Sequence, residues 1–411
     1  MAINTRSTAS LPFPMSKKSR SKLWFLVHSW LTLPIWFFVL IVCVTGTLAV
    51  VSQEIVWLAT PEARASQPSD DAPLLTYEQV LNAIHQAEPK LAVQSISRPD
   101  ESHFALVADV GSPSLYINPY TGAIQGESPA FDFKAFTRAL HGWWLVPFTN
   151  GYSWGWYLVS FLGLPLLASL VTGLVVYKKF WKGFFKPNLR FKHGARIFWG
   201  DFHRLCGIWS IWFIAVISIS GLWFLIQAFM FDNQISISTQ GNPPVVARQD
   251  VPIMPDGKPA PQISLDKAVA IAAEKIPGLE ASFISLPSNA FGHIEVGGPG
   301  WYPLLFQTAD INPYNGLIEG SRMIADRSGL ELVTESMRPL HTGDFGGLWV
   351  KLIWFFFGLI LSMMVLSGLL IWTKRTALAT ANALKRSNKP ARSVPAQAAT
   401  ARTDATSEAN A

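Results

Sequence analysis

The sequence predicts a membrane α-helical protein: a four-helix transmembrane core carrying two exported α+β modules, built as a tandem internal repeat. Three observations lead there. Half of the 411 residues are hydrophobic and 17 are Trp. Four apolar stretches, residues 23–51, 154–177, 202–230 and 348–372, reach the roughly 20 residues that a bilayer-crossing helix needs. The decapeptide INPYTGAIQG at 117–126 returns as INPYNGLIEG at 311–320, identical at seven of ten positions.

In chain order, residues 1–22 form a basic tail with five Lys or Arg and no acid. The first span, 23–51, is too long for a signal-peptide core and is read as an uncleaved helix. Residues 52–145 form the first module, and 146–178 an outer interfacial segment with the second span. A basic loop at 179–201 leads to the third span at 202–230, the second module at 231–346, the fourth span at 347–373 and a disordered tail at 374–411. Lys and Arg set the orientation. The loop from 178 to 204 has eight basic residues against one acid, and the tail after 373 has seven against two. The modules reverse the balance, with five basic against eleven acidic and seven against thirteen. Both termini and the middle loop are therefore expected to be cytoplasmic. The formal charge of +6 follows from this topology and does not point to nucleic acid.

Within each module an amphipathic helix is expected at 75–90 and at 263–278, with Thr76 and Ser264 as N-caps and a Pro closing each helix. Stretches such as HFALVADV and SLYIN alternate as strands do, and Asn-Pro-Tyr-x-Gly is a turn signature. The spans repeat as well. Gly46 lies eighteen residues after His28, and Gly221 eighteen after His203, while LVTGLVVYKK around Gly173 matches VLSGLLIWTKR around Gly368. Both halves start in the cytoplasm, so the repeat is parallel, with a pseudo-twofold axis along the membrane normal.

Four of the eight histidines fall at repeat-equivalent places. His28 and His203 open the first and third spans, and His141 and His341 precede the second and fourth. A neutral imidazole at such a boundary serves as a helix cap, a proton relay or a metal ligand. The axis would set His28 opposite His203 and His141 opposite His341, and facing imidazoles on separate helices are what a six-coordinate b-type haem requires. Two haems are expected. Trp24, Trp30, Trp143, Trp144, Trp209 and Trp212 are candidates for their walls, although aromatic belts mark any membrane interface. Arg138 and Arg338, each three residues before an outer histidine, are candidates for pairing with haem propionates. His193 is read as solvated, His85, His103 and His293 as surface residues, and Met363 and Met364 as packing. Gly343, Gly346 and Gly347 either admit a ligand to the backbone or form a turn, and Asp344 is a candidate cap. The only cysteines, Cys43 and Cys206, lie near opposite faces and are not expected to pair, and the absence of CxxC and CxxCH argues against a thiol redox site and covalent haem.

With DFHRLCGIWSIW at 201–212, LHTGDFGGLWVKLIW at 340–354, the glycine-marked span ends and the two modules ending in INPYxG, residues 22–375 resemble the PepSY-associated transmembrane-helix family. This family is often described as iron-regulated membrane proteins and includes siderophore-linked ferric reductases of bacterial inner membranes. The resemblance implies a four-helix core with b-type haems, periplasmic PepSY modules and His28, His141, His203 and His341 as ligands. The sequence departs at Ser29, which follows His28 where Arg204 follows His203. The expected function is transmembrane electron transfer to a periplasmic ferric siderophore or ferric chelate. A quinol or a separate cytoplasmic reductase would donate, since no nicotinamide fingerprint occurs. Two rivals stay open: a membrane-tethered PepSY regulator of a peptidase without haem, and a siderophore or metal permease.

Overall fold

The computed structural model describes residues 17–99, 101, 103–149, 151–177, 180–238 and 245–387. Arg6 and residues 388–411 lie outside them.

The first half begins with α1 (Lys17–Thr32) and α2 (Trp36–Val50), joined by a 3-10 turn at Leu33–Ile35. Pro34 breaks the α-helix there because its ring removes an N–H donor and crowds the preceding turn. Next come α3 (Ser52–Ala59), α4 (Tyr77–Ala87), β1 (Ser95–Ser97), β2 (Leu106–Asp109), β3 (Leu115–Ile117), β4 (Ile124–Glu127) and α5 (Phe133–Trp143). The second membrane crossing is α6 (Trp154–Phe161) with α7 (Gly163–Val176), followed by the short α8 (Phe180–Phe185). The second half repeats the order: α9 (Ala195–Trp209), α10 (Ile211–Asp232), α11 (Leu265–Lys275), β5 (Phe283–Ser285), β6 (Ile294–Pro299), β7 (Phe306–Ile311), β8 (Ile318–Arg322), α12 (Gly329–Thr342) and α13 (Gly347–Ser387). The segment after 373, expected to be disordered, thus begins as a continuation of α13.

Among the described residues four helical runs are long and apolar enough to cross a membrane: Arg20–Val50, Trp154–Val176, Ile211–Asp232 and Gly347–Lys374. At most 28% of each run's most apolar window is buried within the protein, so most of that apolar surface needs lipid. His203, placed by sequence inside the third span, sits on α9 just before it. In the bundle α1 packs on α7 and α9 on α13, while α2 packs on α13 and α10 on α7. At the end nearer the sheet, α5 leans on α2 and α12 leans on α10. Exchanging the two halves leaves this set of pairings unchanged.

The eight strands described form one antiparallel sheet, in the order β4-β3-β2-β1-β5-β6-β7-β8. The two modules are therefore not separate sheets: β1 hydrogen-bonds to β5, with Ile96 opposite Ile284. One face carries the fully buried Ile96, Ala108, Ile117, Ile284, Ile294, Val296, Ala309 and Ile311, against which α4 and α11 lay Ile84, Ala268 and Ala272. Thr76 closes a capping box with Gln79, and Ser264 caps α11. The two helices also cap each other, since the Glu78 carboxylate accepts from Leu265 N at 2.7 Å and the Asp266 carboxylate from Glu78 N at 3.2 Å. Both Asn-Pro-Tyr-x-Gly turns form as expected. The Asn118 and Asn312 side chains accept from the two following backbone amides, and Gly122 and Gly316 take φ of 72° and 77°.

Candidate functional site

Each histidine is set by the helix that carries it and the helix it leans on. His141 ends α5, whose Asp132 N-cap accepts from Ala135 N, and His341 ends α12, which opens on a Ser328–Glu331 capping box. Their rings approach across the bundle to 6.0 Å between centroids, at an interplanar angle of 39°. At the end remote from the sheet, His28 on α1 and His203 on α9 stand 6.3 Å apart at 79°. The pairing expected from the repeat is thus present at both ends. Ser220, which bonds His341, lies seventeen residues beyond His203 on α9 and α10, so the pairs are separated by roughly 25 Å at the helical rise.

All four rings make their hydrogen bonds through Nδ1. His28 meets the Thr172 hydroxyl at 3.0 Å, His203 the Ser367 hydroxyl at 2.9 Å and the Met364 carbonyl at 3.1 Å, and His341 the Ser220 hydroxyl at 2.7 Å. His141 meets the Val42 carbonyl at 2.9 Å. The hydroxyl protons are already used on their own helices: Thr172 donates to the Ala168 carbonyl at 2.7 Å, Ser220 to Val216 at 2.6 Å and Ser367 to Met364 at 2.9 Å. Each hydroxyl can then only accept from the ring, as a carbonyl must. Nδ1 carries the proton in all four rings, and Nε2 keeps its lone pair with no hydrogen-bond partner among the described residues.

Glycine lets the rings lie this close to neighbouring backbone. A Cβ on Gly46 of α2 would stand 2.6 Å from His141 Cε1, whereas on Gly173 and Gly368 it would meet His28 and His203 at 3.4 and 3.6 Å. At Gly221 the nearest atom would be Gly163 Cα at 3.9 Å, so this fourth glycine faces the α7 backbone.

The pair nearer the sheet opens on a cavity of about 680 Å³, within the range for a cofactor-sized ligand. Its apolar wall includes Val39, Phe213, Phe224, Trp143, Trp156 and Trp354. Of the six tryptophans proposed from sequence only Trp143 lines it. Trp144 stacks on Phe38, while Trp24, Trp30, Trp209 and Trp212 are exposed on the bundle surface. Helical periodicity identifies an interface but not which side of a helix faces the interior, so Trp156 and Trp354 were missed. At the cavity mouth stand Arg138 and Arg338, both expected, and Lys134 and Lys351, which were not. Lys134 precedes Arg138 by one helical turn, a spacing that was available in the sequence. Burial and then the neighbouring Arg338 charge lower the Arg138 pKa, and burial and then Arg138 lower that of Lys134. Lys351 is held by Glu54 at 3.2 Å and Asp344 at 3.5 Å, and Lys134 touches the Gln53 amide oxygen at 2.9 Å. Neither guanidinium forms a salt bridge among the described residues.

Gly343 and Gly347, with φ of 75° and 64°, form the turn between α12 and α13. A Cβ on Gly343 would strike the Trp354 ring at 2.8 Å, so the turn reading holds for this segment. His293, expected at the surface, has a side chain only 8% exposed and bonds Glu319 at 2.6 Å. His85 and His193 are exposed. Met364 packs in the bundle core and also offers its carbonyl to His203. Cys43 and Cys206 are free thiols. At the remote end Asp201 is gripped by Arg190 in a two-pronged pair at 2.8 and 2.9 Å and also meets Arg204, which holds the loop beside His203. The Arg190 hydrogen bond leads in pulling the Asp201 pKa down to about 2.

Among the described residues no three His, Cys, Asp or Glu side chains converge as a bare metal ion would require. Two imidazoles with free Nε2 atoms suit a group that brings its own equatorial ligands. Two metal–imidazole bonds of about 2.0 Å plus about 1.1 Å from each nitrogen to its ring centre span roughly 6.2 Å, against the observed 6.0 and 6.3 Å. The donor set and spacing of both pairs, and the cavity beside His141 and His341, are compatible with haem. A comparison with curated proteins gives no match. The family model described as the PepSY-associated TM region matches residues 25–375. The chain is thus a member of the PepSY-associated transmembrane family.

Proposed function

We propose that this protein is a haem-containing reductase of the bacterial inner membrane that passes electrons to a periplasmic ferric siderophore or ferric chelate. The observation that carries this reading is the double pairing of histidines, each ring a Nδ1–H tautomer with a bare Nε2 lone pair. His28 and His203 hold the inner group, and His141 and His341 the outer one. A b-type haem supplies a one-electron couple, and ligation on both sides favours electron transfer over oxygen binding.

The chain's residues orient and neutralise. Lys134, Arg138, Arg338 and Lys351 cluster at the cavity mouth, where Lys351 is paired with Glu54 and Asp344 while neither guanidinium forms a salt bridge among the described residues. Two propionates would find their partners in those two guanidinium groups, Arg138 and Arg338. The apolar wall lowers the local dielectric and strengthens these pairs. The basic tail and loop face the cytoplasm, the fused PepSY sheet lies in the periplasm, and the matched halves reflect an internal duplication. Iron leaves after reduction because hard oxygen donors hold ferrous ion much less strongly than ferric. Electrons enter from a quinol or a separate cytoplasmic reductase.

The test is an absorption spectrum of purified protein, oxidised and dithionite-reduced, with haem measured per chain. Two low-spin b haems, reoxidised by added ferric siderophore, are expected. No haem after expression with ample haem supply sinks the reading and turns the four histidines into structural residues of a tethered PepSY regulator.

A further inference from the structure

The four glycines that mark the span ends share a predecessor. Thr45-Gly46, Thr172-Gly173, Ser220-Gly221 and Ser367-Gly368 place a hydroxyl residue before each one. Three of these hydroxyls bond a histidine from another helix. The fourth does not: Thr45 donates to Ile41 O at 2.7 Å and to Val42 O at 3.3 Å, and it is Val42 O that receives His141.

We infer that Thr172, Ser220 and Ser367 are positioning residues that fix the tautomer and tune the electron donation of His28, His341 and His203, while His141 is set by main chain alone. This inference rests on the haem reading. Each hydroxyl has its proton committed to a carbonyl of its own helix, so its lone pair is aimed at the ring whatever the ring carries at Nε2. A Nδ1–H donated to a fixed acceptor makes the imidazole a stronger donor through Nε2, which favours the ferric form. Removing the acceptor weakens that donation and favours the ferrous form. The residues also differ in degree. His203 retains the Met364 carbonyl when Ser367 is lost and His28 retains a backbone partner at Ser169 when Thr172 is lost, whereas His341 has no other hydrogen-bond partner among the described residues. The helix that carries Thr45 offers a carbonyl where its counterpart offers a hydroxyl, so the two outer ligands are held by unlike groups.

The experiment uses the full-length haem-loaded protein and the variants Ser220→Ala, Thr172→Val, Ser367→Ala and Thr45→Ala. Haem per chain, redox titration of each haem and low-spin ferric electron paramagnetic resonance are the readouts. Ser220→Ala is expected to move the outer haem's ferric-to-ferrous ratio toward ferrous by about tenfold, the lower end for loss of a ligand's hydrogen-bond partner. That corresponds to about 59 mV for one electron. Thr172→Val and Ser367→Ala each move the inner haem less, because His28 and His203 each keep a backbone partner, and Thr45→Ala moves neither. Ser220→Thr restores the wild-type potential. Loss of the outer haem alone in Ser220→Ala, restored by Ser220→Thr, supports the inference equally. It is overturned if the variants keep both haems at wild-type potentials and resonance positions, or if Thr45→Ala shifts the outer haem as much as Ser220→Ala. Failure of the haem reading shows itself separately, as a wild-type protein without haem, and overturns both.

Discussion

Alanine at the four span-end glycines should separate one position from the other three. A Cβ on Gly46 would lie 2.6 Å from His141 Cε1 and 2.9 Å from its Nδ1. Carbon atoms in contact prefer about 3.5–4.0 Å, so the ring must withdraw by roughly 1 Å. That displacement is several times the tolerance of about 0.2 Å on a metal–ligand bond. It also breaks the 2.9 Å bond from Nδ1 to Val42 O, because the carbonyl belongs to the helix the ring is pushed from. At Gly173, Gly221 and Gly368 the same Cβ meets nothing closer than 3.4 Å. There alanine removes the helical penalty of glycine, about 1 kcal/mol, without a clash. The expected result is that Gly46→Ala loses the outer haem and retains the inner, falling from two haems per chain to about one, while the other three variants keep both and melt no lower than wild type. The assay is haem per chain with reduced-minus-oxidised spectra and thermal unfolding in detergent. Two haems with an unchanged outer spectrum in Gly46→Ala would refute the packing argument.

Three further outcomes follow from the same structure. His341→Ala is expected to lose the outer haem and the periplasmic reductase activity with the inner haem still bound, and retention of two haems with unaltered spectra would contradict the ligand assignment. Asp201 has its pKa depressed from 3.8 to about 2, so its ion pairs stabilise the fold fully above about pH 4 and are lost as pH falls toward 2. Melting temperature measured from pH 6 to 2 should therefore show a step in the wild type that Asp201→Asn lacks, and parallel curves would count against the linkage. Ile284→Ala removes a fully buried side chain where β1 joins β5, and should cost about 2–5 kcal/mol. A loss below about 1 kcal/mol in denaturant unfolding would mean that this joint is not part of the cooperative core.

Much of this architecture can be read from the chain because it depends on local pattern. Twenty-residue apolar runs have one stable answer in a bilayer, and the two Asn-Pro-Tyr-x-Gly turns adopt the one geometry that their Asn, Pro and Gly allow. The histidine pairs were legible for a different reason: a repeat implies an axis, and an axis brings equivalent residues face to face. Only the tertiary structure decided the rest. The strands do not encode that β1 will pair with β5, since an edge strand accepts any partner of suitable register; in the fold the joint is accompanied by the reciprocal capping of α4 and α11 and by one apolar core shared across it. Nor does helical spacing say which tryptophans face the cavity, because a span surrounded by lipid is apolar on every side and has no polar face to orient it. The nitrogen that keeps its lone pair was likewise settled by contacts between residues over a hundred positions apart, where a hydroxyl already bonded to its own helix leaves the imidazole one way to bind.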